Sequence, residues 1–145
     1  MNIIKKVIVL CFLLCSLLSC SPSSASFVQY GPTGYPPKPD DYFVPIISEY
    51  GQGLDPGYYY VVIGIVEANK EAVTVFGKVS LETVFEMLRR KARRGGADAL
   101  IDIRYQRGTA TGRSVDSVSA SGIAVVFKNR DEALKKLKDM GAVFR

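Results

Sequence analysis

The chain has 145 residues, 19 Lys+Arg against 14 Asp+Glu, three Cys, no His and no Trp, the composition of one small globular domain with a net charge of +5. Without an imidazole, Ser-His-Asp and Cys-His nucleophilic sites and His-ligated metal centres cannot be built. Chemistry based on paired carboxylates, Lys or Tyr stays open.

The first twenty residues account for the cysteines. Lys5 and Lys6 form a basic n-region, and an apolar run from Val7 to Leu18, broken only by Ser16, follows it. A spanning helix needs about 20 apolar residues, so this shorter run reads as the h-region of a secretory signal. Leu17-Leu18-Ser19-Cys20 resembles the bacterial lipobox, in which Leu, a small or aliphatic residue, and Ser or Gly precede a cysteine. The resemblance implies diacylglyceryl transfer to the Cys20 thiol, cleavage before it, and N-acylation of the new terminus. A plain cleaved signal and an uncleaved anchor are the competing readings.

Processing of that kind would remove Cys11, Cys15, Lys5 and Lys6 and convert Cys20 to a lipid anchor. The mature chain would then hold no free thiol, no disulfide and no thiolate ligand, even in an oxidising envelope. Three acyl chains exceed the two signals that stable anchoring requires. Ser21 after the cysteine, rather than Asp, implies sorting to the outer membrane of a Gram-negative cell.

All seven prolines fall at or before Pro56 and most tyrosines at or before Tyr60, a shift that marks a boundary. The expected organisation is a signal over 1–19, a lipidated Cys20 with a Pro/Ser/Tyr-rich tether over 20–43, and one domain over 44–145. Proline removes donors and fixes φ, so residues 21–41 read as a spacer lifting the domain off the bilayer, with polyproline character around Tyr35-Pro36-Pro37-Lys38-Pro39. A docking ligand for a partner is the alternative.

From Val44 the pattern becomes that of packed elements. Val44-Pro45-Ile46-Ile47 predicts a short edge strand, because Pro45 bars it from a sheet interior. Gly51 to Gly57 reads as a turn, and Tyr58 to Val66 as a strand buried on both faces, with Gly64 marking a bulge or a close approach. Ala72 to Lys78 predicts a short second strand. Ser80 stands as an N-cap before a helix over 81–94, in which Leu81, Val84, Phe85, Leu88 and Ala92 form one apolar stripe. Basic residues crowd the end of that helix and Gly95-Gly96 closes it with a left-handed cap.

Ala97 to Tyr105 predicts the next strand, parallel to Tyr58–Val66 through a right-handed crossover. Gln106 to Ser119 reads as a long hairpin tip turning near Thr111-Gly112, Ala120 to Lys128 as the antiparallel return, and Asp131 to Met140 as an amphipathic helix stopped by Gly141. The expected fold is α+β: a small mixed sheet of three to five strands, a β-α-β crossover followed by an antiparallel hairpin, packed on one main helix, with a C-terminal amphipathic helix.

The order of these pieces resembles small envelope lipoproteins of the YbjQ-like and RcsF-like type. The resemblance rests on Tyr35-Pro36-Pro37-Lys38-Pro39, on Tyr60-Val61-Val62-Ile63-Gly64-Ile65-Val66, on a helix ending Arg94-Gly95-Gly96-Ala97-Asp98-Ala99-Leu100-Ile101, and on Gly122-Ile123-Ala124-Val125. It spans residues 35–128 and implies a fold and an envelope location. The heavy-metal label of the first group and the disulfides of the second would have no free Cys and no His to act through in the mature chain that this processing leaves.

Arg89, Arg90, Arg93 and Arg94 form the strongest charge cluster. They are a candidate site for anionic envelope polymer, lipopolysaccharide or peptidoglycan, set against a solvated helix face that complements the helix dipole. Asp98, Asp102 and Asp116 would serve a carboxylate-dependent hydrolase or lyase only if they converged. Tyr58-Tyr59-Tyr60 reads as sheet packing before it reads as a stacking platform. The hairpin Thr109 to Ser121 could pair with a second copy's edge.

The sequence therefore predicts a non-catalytic, outer-membrane-anchored lipoprotein, an envelope binding, assembly or stress-related module without metal or cofactor. The membrane at Cys20, a protein partner and a second copy of the chain are the expected contacts. Nucleic acid is excluded by the exported location.

Overall fold

Adjacent buried pairs reveal a sheet with an apolar layer on each face. Ile46, Leu100 and Ala124 belong to one buried cluster, and their chain neighbours Ile47, Ile101 and Val125 to another, as successive strand residues pointing to opposite faces require. The computed structural model describes residues 23–32, 34–48, 53–110 and 115–145. The expected signal over 1–19, the lipidated Cys20 and the expected turn at Thr111-Gly112 lie outside those residues, as do the first positions of the turn expected from Gly51.

Among the described residues the strands are β1 (Ser23–Gln29), β2 (Ile46–Ser48), β3 (Tyr60–Glu71), β4 (Ala99–Thr109), β5 (Asp116–Phe127) and β6 (Val143–Phe144), with helices α1 (Leu81–Arg94) and α2 (Arg130–Asp139). They build one six-stranded mixed sheet in the order β1-β3-β5-β4-β2-β6. The class is α+β as the sequence predicts, but the sheet is larger than three to five strands.

The extra strands come from segments that composition disguises. Ser23–Gln29, expected within a tether, runs antiparallel to β3 from Ser23 opposite Lys70 to Gln29 opposite Gly64. Ala25 and Phe27 pack against the core beneath α1. The prolines that suggested a spacer lie outside this strand, and Ser, Ala, Phe and Val can pair freely once an edge is offered. Gly64 permits the pairing, since a Cβ there would stand 2.4 Å from the Val28 carbonyl oxygen. β6, absent from the sequence reading, is a two-residue strand against β2.

β2 is interior where an edge was expected. It pairs in parallel with β4 and antiparallel with β6. Pro45 sits just ahead of the ladder and offers only its carbonyl, which accepts from the Leu100 amide at 3.0 Å. Ala72–Lys78 is a loop rather than a strand, because the partners of β3 end beside Lys70 and Glu71. Tyr58 and Tyr59 precede β3 in a turn.

α1 connects β3 to β4, which run in the same direction because both are antiparallel to β5, the strand between them. Ser80 is extended at the N-cap position but makes no side-chain cap bond. At the other end Gly96 has φ 83°, the Gly96 amide donates to the Arg93 carbonyl at 3.0 Å, and the Ala97 amide donates to Ala92 at 3.0 Å, the paired bonds of a Schellman cap. Val84, Phe85, Leu88 and Ala92 face one side of the sheet. α2, capped by Asn129 accepting from the Glu132 amide at 3.3 Å, buries Ala133 and Leu137 on the other side.

Candidate functional site

The face opposite α1 changes character at one level of the sheet. Ile65, Ile123 and Ile101 stand in register across β3, β5 and β4, and Ile123 and Ile101 with Tyr60, Val62, Val125 and Phe127 make the apolar bed of α2. One rung further the same face carries Ser26, Glu67, Ser121 and Arg104, each opposite the next. The following rung carries Ser24, Asn69, Ser119 and Gln106. Ala25, Val66, Ala68, Val118 and Ala120 between them point to α1.

These two rungs floor a trough of about 510 Å³. Cross-strand neighbours lie close enough to act on a ligand together, so the two rungs offer hydroxyls, amides, one carboxylate and one guanidinium, with the exposed Tyr105 also in the lining. Its rim is the outer edge of β4. β2 pairs only with Leu100 and Ile101, so from Ile103 to Thr109 that edge has no strand partner among the described residues. Asp102, at φ 49°, sits where the β4–β5 register slips and ion-pairs with Arg104 at 3.1 Å.

The four candidate arginines do not act as one patch. Arg89 is buried, ion-pairs with Glu82 at 2.8 Å and with Glu86, and lies over the Phe43 ring. Arg93 is half-buried and donates to the Tyr42 carbonyl at 3.3 Å. Arg90 and Arg94 are exposed, with no ion pair among the described residues. Helical spacing turns these neighbours to different sides of the helix, and the chain 35–43 crosses over one of those sides.

The three candidate carboxylates are likewise separated. Asp98 is buried at the start of β4, where Lys38 Nζ stands 2.8 Å away, the Tyr42 hydroxyl donates at 2.6 Å and the Phe127 amide donates at 3.0 Å. Burial, with the hydrogen bond to Asp98, pushes the Tyr42 hydroxyl up to about 12. Asp116 lies at the far end of the same sheet, accepting from the Val79 amide at 2.8 Å and from Arg107 at 2.9 Å. Asp116 pairs with Thr109, ten residues along β4 from Ala99, a separation of about 33 Å. Asp102 is bound to Arg104. Among the described residues no three Asp, Glu, Cys or His side chains are grouped to hold a metal ion.

Sequence reasoning did not find the trough. Its trace is the alternation Ser117-Val118-Ser119-Ala120-Ser121, which reads as hairpin composition until pairing with Glu67-Ala68-Asn69 puts the polar positions on one face.

No family model and no curated protein matches the sequence. Among solved structures, the Francisella virulence factor FvfA in an orthorhombic crystal form aligns over 71% of this chain and 97% of its own, with 17% identity and a TM-score of 0.46.

Proposed function

We propose that the protein is an outer-membrane-anchored lipoprotein without catalytic activity, an envelope binding, assembly or stress-related module that works through protein contact. The observation that carries this reading is Leu17-Leu18-Ser19-Cys20 at the end of an apolar run and three positions before Ser23, the first of the described residues, which pairs with Lys70. A lipid on Cys20 would hold the sheet itself at the membrane. The separation of Asp98, Asp102 and Asp116, each engaged with a cation, supports a role without acid–base chemistry.

The contact surface assigned to the partner is the trough with its β4 rim. Backbone donors and acceptors on an open strand edge match another polypeptide in extended form, and the polar rungs beside them would read its side chains. A photo-crosslinking amino acid placed at Gln106 or Ser119 of the full chain in intact envelopes should give a discrete protein adduct. The same probe at Lys135, exposed on α2, should not. Equal labelling from all three positions would defeat the assignment. Replacing Cys20 with Ala should move the protein to the soluble periplasmic fraction, and continued membrane retention would defeat the anchor.

A second reading has an observation of its own. Arg90 and Arg94 stand exposed near the C-terminal end of α1, available to an anionic envelope polymer. Replacing both with Ser should abolish retention on lipopolysaccharide or peptidoglycan. Unchanged retention rejects it.

A further inference from the structure

The loop between β3 and α1 exposes three apolar side chains within four positions. Phe76 is 93% exposed, Val75 59% and Val73 52%. An apolar cluster of this kind normally folds back onto a domain, but both feet of this loop are fastened. The Ala72 amide donates to the Asp116 carbonyl at 2.8 Å, the Val79 amide donates to the Asp116 carboxylate at 2.8 Å, and Arg107 bridges that carboxylate to the Val79 carbonyl. The Gly77 amide closes the tip on Thr74 at 3.0 Å. Lys78 is exposed and Lys70 half-buried at its flanks.

The position of the loop identifies what it meets. Ser23 is the register partner of Lys70, so the chain enters β1 at the end of the sheet where β3 leaves for the loop. Cys20 precedes Ser23 by three positions and Val73 follows Lys70 by three, each a reach of about 11 Å at most. Adjacent strands are about 4.8 Å apart, so Ser23, from which the chain runs back toward Cys20, and the foot of the Phe76 loop stand at the same end of the domain.

We propose that the Val73–Phe76 loop inserts into the headgroup boundary of the leaflet that holds the acyl chains of Cys20, with Lys70 and Lys78 at the lipid phosphates. This rests on the lipoprotein reading. Apolar tips flanked by lysines partition to that depth, where the rings meet acyl carbon and the ammonium groups meet phosphate. Two attachments on neighbouring strands fix an orientation that a single flexible anchor leaves undefined. β3 then stands away from the membrane with Tyr60 remote, the C-terminal end of α1 faces outward, and the trough opens sideways along the surface.

The absence of Trp from the chain makes the test direct. Phe76→Trp is prepared as the full lipidated chain and reconstituted in vesicles of phosphatidylethanolamine and phosphatidylglycerol, with Tyr58→Trp, exposed at the opposite end of β3, as the companion. After flotation, the indole at position 76 should emit to the blue of its detergent-free aqueous value. It should lose about half or more of its emission to lipids brominated near the headgroup, and should be shielded from aqueous iodide. The indole at position 58 should stay open to iodide. If the protein floats but position 76 is as open to iodide as position 58, the loop faces water and this inference fails while the anchor stands. If the protein does not float, the anchor fails and the inference with it.

Discussion

The Tyr42 hydroxyl donates a 2.6 Å hydrogen bond to the buried Asp98 carboxylate, 56 positions away in the chain. The same carboxylate takes Lys38, and Arg130 lies 4.6 Å over the Tyr42 ring. The segment that composition marks as a spacer is therefore fastened to the end of α1, the start of β4 and the start of α2 at once. A proline-rich stretch costs little conformational entropy to immobilise, which makes it suited to a strap of this kind.

Removing the Tyr42 hydroxyl should change the alkaline stability of the protein. The folded value is raised to about 12 from an ordinary 10.0, so between those values the unfolded chain has lost a proton that the folded chain keeps. Stability from this group is complete below about pH 10 and declines as pH rises through the folded value. Tyr42→Phe should lower stability near neutral pH by about 1 kcal/mol and flatten the decline above pH 10. Urea titrations of both proteins at several pH values measure it, and parallel curves would contradict it.

Asp98→Ala should be among the more damaging single substitutions, at about 3 kcal/mol, because it leaves Lys38, the Tyr42 hydroxyl and the Phe127 amide without their shared acceptor. Asp98→Asn keeps one acceptor oxygen, enough for the Phe127 amide, while its NH2 group takes the position that faces Lys38 and the Tyr42 hydroxyl, and it should cost less than Ala. Equal losses in denaturant melts would mean that the charge matters and the hydrogen bonds do not.

β1 should detach selectively when Gly64 gains a side chain. A Cβ at Gly64 would stand 2.4 Å from the Val28 carbonyl oxygen, a backbone atom that cannot move without β1 moving. Gly64→Ala should destabilise by about 1–3 kcal/mol and raise hydrogen exchange across β1, leaving β4 and β5 protected. Unchanged protection in β1 would show that the ladder absorbs the contact.

The arginines of α1 should separate into two classes. Arg89→Ala removes a buried side chain paired with Glu82 and Glu86 and packed over Phe43. It should cost about 1–3 kcal/mol, whereas Arg90→Ala and Arg94→Ala should stay within about 0.5 kcal/mol. Thermal melts of the three variants compare them directly, and equal losses would mean that the burial of Arg89 carries no energy.

Asp116→Ala should free the loop before α1. Its carboxylate holds the Val79 amide and Arg107, and with Arg107 half exposed the ion pair itself contributes little. A loss of about 1 kcal/mol is expected, together with faster tryptic cleavage after Lys78. Unaltered cleavage would place the restraint elsewhere.

The sequence by itself determined what depends on neighbours in the chain. The lipobox-like end of the apolar run, the stripe Val84, Phe85, Leu88, Ala92, the Gly95-Gly96 stop and the β4–β5 hairpin are all set by local pattern, and the structure carries the last three. The tertiary structure alone decided where strands find partners. Ser23–Gln29 is a strand because Gly64 leaves room for its backbone, β2 is interior because Pro45 stops one residue short of the ladder, and Ala72–Lys78 is a loop because its neighbours end. The same reason hid the trough. Alternation within one strand shows only that a residue faces up or down, and the polar half-face exists only when β1, β3 and the β4–β5 hairpin, separated in sequence, bring their polar positions to the same two rungs.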